Sequence, residues 1–192
     1  TSAPYFQSSG TVISYVDSTI TVTEIQNALT AYDEVDGDVS NNITLVDDQY
    51  TEFMDVLGSY IVAFEVSDLS GNTTQLQVNV EVVDVLKPVF SNLGPIEAVY
   101  PNIFSVGDVL SLLSASDNYD GDISDQIVLI SDNYTDYADV VGSYDMVFSV
   151  TDSSGNIQTY TQTINVIDEE GPIIGGISSI VLGYDSLITP IE

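Results

Sequence analysis

The chain has 192 residues, 44 % of them apolar, and sets 30 Asp and Glu against a single base, Lys87, with no His and no Cys, for a net charge of −29. That balance excludes nucleic acid as a partner, since phosphate contacts need Lys and Arg, and it disfavours anionic membrane surfaces. The missing Cys and His remove disulfides, zinc–thiolate sites, thiol nucleophiles and Ser–His catalysis together, while the apolar share is too high for a disordered acidic tail.

The chain contains no run of eighteen apolar residues, so nothing in it reads as a membrane-spanning helix. Its start has neither the basic nor the apolar region of a secretory signal. It opens at Thr1 without a Met, which suggests a processed product or an excised fragment.

The sequence repeats itself without gaps at a step of 84 residues, Pro4 recurring as Pro88 and Pro172. Asp33 to Asp38 (DEVDGD) recurs as Asp117 to Asp122 (DNYDGD), Gly58-Ser59-Tyr60 as Gly142-Ser143-Tyr144, and Asp68 to Asn72 as Asp152 to Asn156. Asp84 closes the first unit and Asp168 the second. The division this implies is 1–86, 87–170 and the opening of a third repeat at 171–192. Tandem arrays hold, space or display other parts more often than they catalyse.

In chain order, Ile20 to Val22 reads as a strand, and Glu24 to Thr30 is open between strand and a helical turn. The Asp-Gly-Asp turn follows, then a short strand marked by Ile43 and Leu45. From Tyr60 the period is two: Tyr60, Val62, Phe64 and Val66 lie on one face, with Ile61, Ala63, Glu65 and Ser67 on the other. Leu76, Val78, Val80 and Val82 alternate against Gln75, Gln77, Asn79 and Glu81. Between the two strands Asp-x-Ser-Gly-Asn makes a turn whose Gly and Asn tolerate positive φ.

The second unit repeats the scheme, with Leu110 to Ala115 and Ile127 to Leu129 as strands. Tyr144, Met146, Phe148 and Val150 form its inward face, then Tyr160, Ile164 and Val166, with Gln162 breaking that set once. No segment offers a long amphipathic helix. About seven short strands per unit fit an antiparallel β-sandwich, and Gly-x-Tyr ahead of the penultimate strand fits a tyrosine corner.

These motifs, Asp-x-x-Asp-Gly-Asp-[Ile/Val]-Ser, Gly-Ser-Tyr, Asp-x-Ser-Gly-Asn and a terminal Val-x-Asp before Pro, resemble bacterial immunoglobulin-like repeats. The pattern is similar to hyalin-type repeats and to the Ig-like modules of Gram-positive surface proteins and insecticidal crystal proteins. The resemblance covers both units and implies an all-β chain of tandem immunoglobulin-like antiparallel β-sandwiches. It also implies display, spacing or adhesion on a cell or virion surface rather than a reaction.

In such a sandwich the acidic loop, the last hairpin turn and the incoming linker share one end. Asp117, Asp120, Asp122 and Asp152 are therefore expected beside Asp84, with only Lys87 nearby. Calcium takes six to eight oxygen ligands in irregular geometry, so a calcium site bridging the repeats is one expectation. The other is that these aspartates are turn formers and solvated loop charges. Asp33, Asp36, Asp38 and Asp68 repeat the set in the first unit without a preceding linker, and Asp168 opens a junction whose acidic loop lies past Glu192. An EF-hand is excluded, since Thr44 and Val128 stand where that loop needs its Glu.

No catalytic residue stands out; paired carboxylates occur here by abundance alone. Tyr50, Phe53, Tyr134 and Tyr137 form a recurrent aromatic pair that could stack on sugar, and Asn42, Asn72 and Asn133 sit in N-x-[ST] triplets. Expected partners are neighbouring repeats of a longer chain, copies of itself, or a surface glycan or receptor. Pro172 to Glu192 is either a truncated repeat or a strand donated to a neighbour.

Overall fold

The computed structural model describes residues 2–8, 10–91 and 94–176. In the first repeat, β1 (Tyr5–Phe6), β3 (Ala31–Asp33) and β4 (Gly37–Asp38) form a small three-stranded sheet. β2 (Thr11–Tyr15), β7 (Thr73–Val83), β6 (Gly58–Ser67) and β5 (Thr44–Asp48) form a larger one in the order β2-β7-β6-β5. The second repeat matches element for element. β8 (Val89–Phe90), β10 (Ala115–Asp117) and β11 (Gly121–Asp122) make its small sheet, and β12 (Val128–Asp132), β13 (Gly142–Thr151), β14 (Ile157–Ile167) and β9 (Ile96–Val99) its large one. The chain is thus all-β, two immunoglobulin-like sandwiches in tandem.

The alternating segments pair as their period requires. Gly58 to Ser67 runs antiparallel to Val82 to Thr73, so Tyr60 faces Val80, Val62 faces Val78 and Phe64 faces Leu76 across the ladder. The inward set buries Val62, Phe64, Val66, Val78, Val80 and Val82 with Ile25 and Tyr50 in one core. Met146, Phe148, Val150, Ile164 and Val166 build the second core with Val109 and Tyr134. Each such side chain contributes about 1.5–3 kcal/mol on full burial.

Gln162, which interrupts the apolar face, is fully buried. Its Nε2 donates to the carbonyls of Gly94 (2.8 Å) and Thr163 (2.9 Å), so the amide is satisfied by backbone and avoids the cost of an orphaned polar group. One pairing in each large sheet is parallel: β2 runs alongside β7, and β9 alongside β14. The rest are antiparallel.

Two segments read as strand are otherwise. Val22–Ala28 is a helix, α1, and Val106–Leu112 is its counterpart α2, so Ile20 to Val22 and Leu110 to Leu112 form no strand. Reciprocal caps decide this. The Glu24 N–H donates to Thr21 Oγ1 at 3.2 Å while the Thr21 N–H donates to Glu24 at 2.7 Å, and Ser105 with Asp108 repeats the arrangement. Such a box satisfies two helix-end amides at once. The helices have only seven residues, and each buries a single side chain, Ile25 or Val109. Ile43 is buried but lies just outside β5, closing a 3-10 turn over Ser40–Asn42.

The tyrosine corner is present in the first repeat: the Tyr60 hydroxyl donates to the Val56 carbonyl at 3.0 Å. The preceding glycine is required for space. A Cβ on Gly58 would lie 3.0 Å from the Tyr60 hydroxyl, and one on Gly142 2.7 Å from that of Tyr144. In the hairpin turns it is Gly71 (φ 87°) and Gly155 (φ 89°) that take positive φ, and the neighbouring asparagines do not. Residues 171–176 belong to no helix or strand and are exposed. The two readings of the C-terminal segment fall mainly on residues 177–192, outside the described residues.

Candidate metal centre at the repeat junction

Three loops deliver carboxylates to one point between the repeats. Asp84 follows the last strand of the first sandwich, Asp117 ends β10, and Asp152 opens the β13–β14 turn. They are buried, at 7 %, 8 % and 5 % exposure, and each offers a carboxylate oxygen within 4.8 Å of the others.

Local amides aim each group. Asp117 Oδ1 accepts from the N–H of Tyr119 (2.9 Å) and Asp120 (3.2 Å), an Asx-type turn. Asp84 Oδ1 accepts from the Leu86 N–H at 3.1 Å. Asp152 is gripped by Asn156, through its N–H at 2.7 Å and its side-chain amide at 2.8 Å. That amide also reaches the Asp84 carbonyl at 3.4 Å, tying the linker to the turn. The remaining oxygens, Oδ2 of Asp84 and Oδ2 of Asp117, are buried without a hydrogen-bond partner.

This is an expensive arrangement for anions alone. Unit charges at 4.8 Å, the outer limit of the separation here, repel by about 3.5 kcal/mol per pair at an effective dielectric of 20. Two buried acceptors left empty add about 1–3 kcal/mol each. Lys87 is exposed. An all-oxygen donor set of this kind suits hard divalent cations, calcium above all, and is a poor match for zinc or copper.

The other expected residues divide. Asp120 stands outside the trio, both of its oxygens held by Ser153, from the N–H and from the hydroxyl, at 2.7 Å each. Asp122 is exposed and caps its own turn, accepting from the Ser124 N–H at 3.0 Å and hydroxyl at 2.6 Å, and Asp38 does the same with Ser40 at 2.9 Å and 2.6 Å. These serine bonds, hydroxyl first and then amide, hold both carboxyls below the ordinary aspartate range. Asp122 and Asp38 are therefore turn formers, not members of a cluster. Asp168 is exposed and accepts from the Glu170 N–H at 2.9 Å. Asp33, Asp36 and Asp68 come together in the first repeat. There the Asn72 side-chain amide is the main cause holding the Asp68 carboxyl low, against the opposing effect of burial.

Half of the recurrent aromatic set is out of reach of a sugar. Tyr50 and Tyr134 are fully buried; the Tyr50 hydroxyl donates to the Ile20 carbonyl at 2.7 Å, and the Tyr134 hydroxyl accepts from the Phe104 N–H at 3.0 Å. Phe53 and Tyr137 stay half exposed, stacked on Tyr60 and Tyr144 at 5.5 Å and 5.6 Å. Of the three N-x-[ST] asparagines, Asn42 and Asn72 use their side-chain amides internally, on the Ser67 carbonyl and on Asp68, while Asn133 is exposed. The residues that sequence reading passed over are Asn72 and Asn156. Their constant place at the end of Asp-x-Ser-Gly-Asn was the available signal.

No family model matches the chain. It is 32 % identical over 183 residues to an uncharacterised 81.3 kDa protein of Acholeplasma phage L2, a match that takes in 94 % of this chain and 24 % of the phage protein. The chain therefore spans about a quarter of that relative's length. A solved structure of Clostridium perfringens ZmpB, holding its catalytic domain and two CBM51 domains, aligns over 86 % of this chain and 31 % of its own, at a TM-score of 0.51 and 12 % identity. That likeness concerns the fold alone. A protocadherin gammaB7 structure covering EC3-6 aligns over 86 % of this chain and 48 % of its own, at a TM-score of 0.35 and 16 % identity, too low to support any argument.

Proposed function

We propose that this chain is a non-catalytic structural or adhesive stretch of a larger surface protein, two sandwiches whose relative orientation is set by a calcium ion at their junction. The observation that carries the reading is the convergence of Asp84 from one repeat with Asp117 and Asp152 from the next, all buried, with two carboxylate oxygens left unpartnered. A cation there would link the end of the first sandwich to two loops of the second, and so stiffen the array. A long hydrogen bond from the Leu57 N–H to the Tyr119 hydroxyl, 3.5 Å, is another contact across this end. The absence of His and Cys leaves a catalytic reading without a thiol nucleophile or an imidazole base.

A second reading, a self-assembling subunit or fibre segment of a virion, is favoured by the relationship to the phage protein. A surface location, cellular or viral, is common to both.

Small-angle scattering of the chain in EDTA and in about 5 mM calcium, a level above the weak affinities of extracellular modules, tests the first reading. Calcium should narrow the distribution of end-to-end distances, and Asp117→Asn should abolish that narrowing. Identical scattering in both buffers overturns the calcium-stiffened junction. Regular, concentration-dependent assembly in the same samples is the mark of the second reading.

A further inference from the structure

We propose that Asp33, Asp36 and Asp68 form a second divalent-cation site, inside the first repeat and unlike the junction, in which Asp36 takes the place that Asp84 holds between the repeats. The inference rests on the proposed junction chemistry and extends it to a site whose third ligand comes from a different part of the chain.

Two members repeat the junction. Asp33 is 1 % exposed. Its Oδ1 accepts from the N–H of Val35 (2.8 Å) and Asp36 (3.0 Å), and its Oδ2 is buried without a hydrogen-bond partner. Asp68 is 5 % exposed and held by Asn72 through its N–H at 2.7 Å and its side-chain amide at 2.6 Å. The third differs. Asp36, from the acidic loop itself, brings a carboxylate oxygen within 4.8 Å of the other two.

One substitution between the repeats explains why Asp36 can do this and Asp120 does not. Ser153 clamps both oxygens of Asp120, with its N–H and its hydroxyl. Its counterpart is Leu69, which has only a backbone N–H to give and donates it to Asp36 Oδ2 at 2.9 Å. Asp36 Oδ1 accepts no hydrogen bond among the described residues and is left for a cation. Asp36 is half buried where Asp84 is buried, so the site is open on one side, keeps more water in the shell and binds more weakly than the junction. Calcium fits such a shell, tolerating irregular geometry and retained water.

Isothermal titration of the whole chain with calcium decides the matter, using Asp36→Asn, Leu69→Ser and Asp84→Asn, each first shown to be folded in EDTA. Two classes of site are expected. Asp36→Asn should weaken only the weaker class, by about tenfold or more, and Leu69→Ser should weaken it too by drawing Asp36 into a serine clamp. Asp84→Asn should remove only the tighter class. A single class abolished by Asp84→Asn and untouched by Asp36→Asn overturns the second site while leaving the junction standing. A single class lost in Asp36→Asn and indifferent to Asp84→Asn does the reverse. No calcium binding at all overturns both.

Discussion

Replacing Asp84 by asparagine should change the sign of its effect on stability with calcium. Without a cation, Asp84 contributes two of the three repulsive pairs in the trio, each about 3.5 kcal/mol at the 4.8 Å outer limit of their separation and an effective dielectric of 20. The introduced amide keeps an oxygen for the Leu86 N–H and turns its NH₂ toward Asp117 and Asp152, converting repulsion into a donor for the empty Asp117 Oδ2. Even if screening leaves a third of the repulsion, the variant gains about 2 kcal/mol, a rise of about 8–16 °C for a domain of this size. In calcium at about 100 times the dissociation constant, the native chain instead gains about 2.7 kcal/mol, and the variant forfeits most of it. Thermal melts of both proteins in EDTA and in calcium, at fixed ionic strength, read the four values. The second sandwich, which supplies Asp117 and Asp152, should respond more than the first. An Asp84→Asn variant that melts below the native chain in both buffers refutes the reasoning, since it would mean that Asp84 stabilises by its local hydrogen bond and not through a shared ion.

Gly142→Ala should cost about 1–3 kcal/mol, the usual range for overpacking, because its Cβ would meet the Tyr144 hydroxyl at 2.7 Å while that ring is stacked on Tyr137. Urea unfolding of the second repeat measures it, and a loss within about 0.5 kcal/mol counts against a rigidly held Tyr144 ring. The Asp122 carboxyl is held low in the folded state by Ser124. The stabilisation from this bond is therefore full above the unfolded value near pH 4 and disappears as pH falls through the lower folded value. The melting difference between the native chain and Ser124→Ala should shrink over that acid range, leaving only the pH-independent part from the Ser124 bonds to Ala115. A difference that is flat or widens with acid contradicts the assignment.

The strand pairs at the end of each repeat were legible in the sequence because they are long, and because burying one face of a ten-residue ladder demands alternation. Tyr60 to Val66 and Leu76 to Val82 satisfy that demand without help from elsewhere. The first helix was legible only as an open alternative over Glu24 to Thr30 and the second not at all, since seven residues with one buried side chain each leave almost no periodic signal, and a pair of capping hydrogen bonds outweighs it. Gln162 reads as a break in the apolar face until the Gly94 and Thr163 carbonyls are seen to close around it.

Sequence by itself determined the repeat, the sandwich class and the presence of an acidic end on each unit, because these depend on local period and on turn chemistry that recurs at a fixed step. Which carboxylates meet was decided by the tertiary structure. Asp117 and Asp122 lie in one short loop, yet Ser124 turns Asp122 into its own turn while Asp117 points into the junction. Asp84 and Asp152 are far apart along the chain, in different repeats, and share that point. Hydrogen bonds to neighbouring amides aim each side chain, and only the folded backbone brings amides, strands and linker to one place.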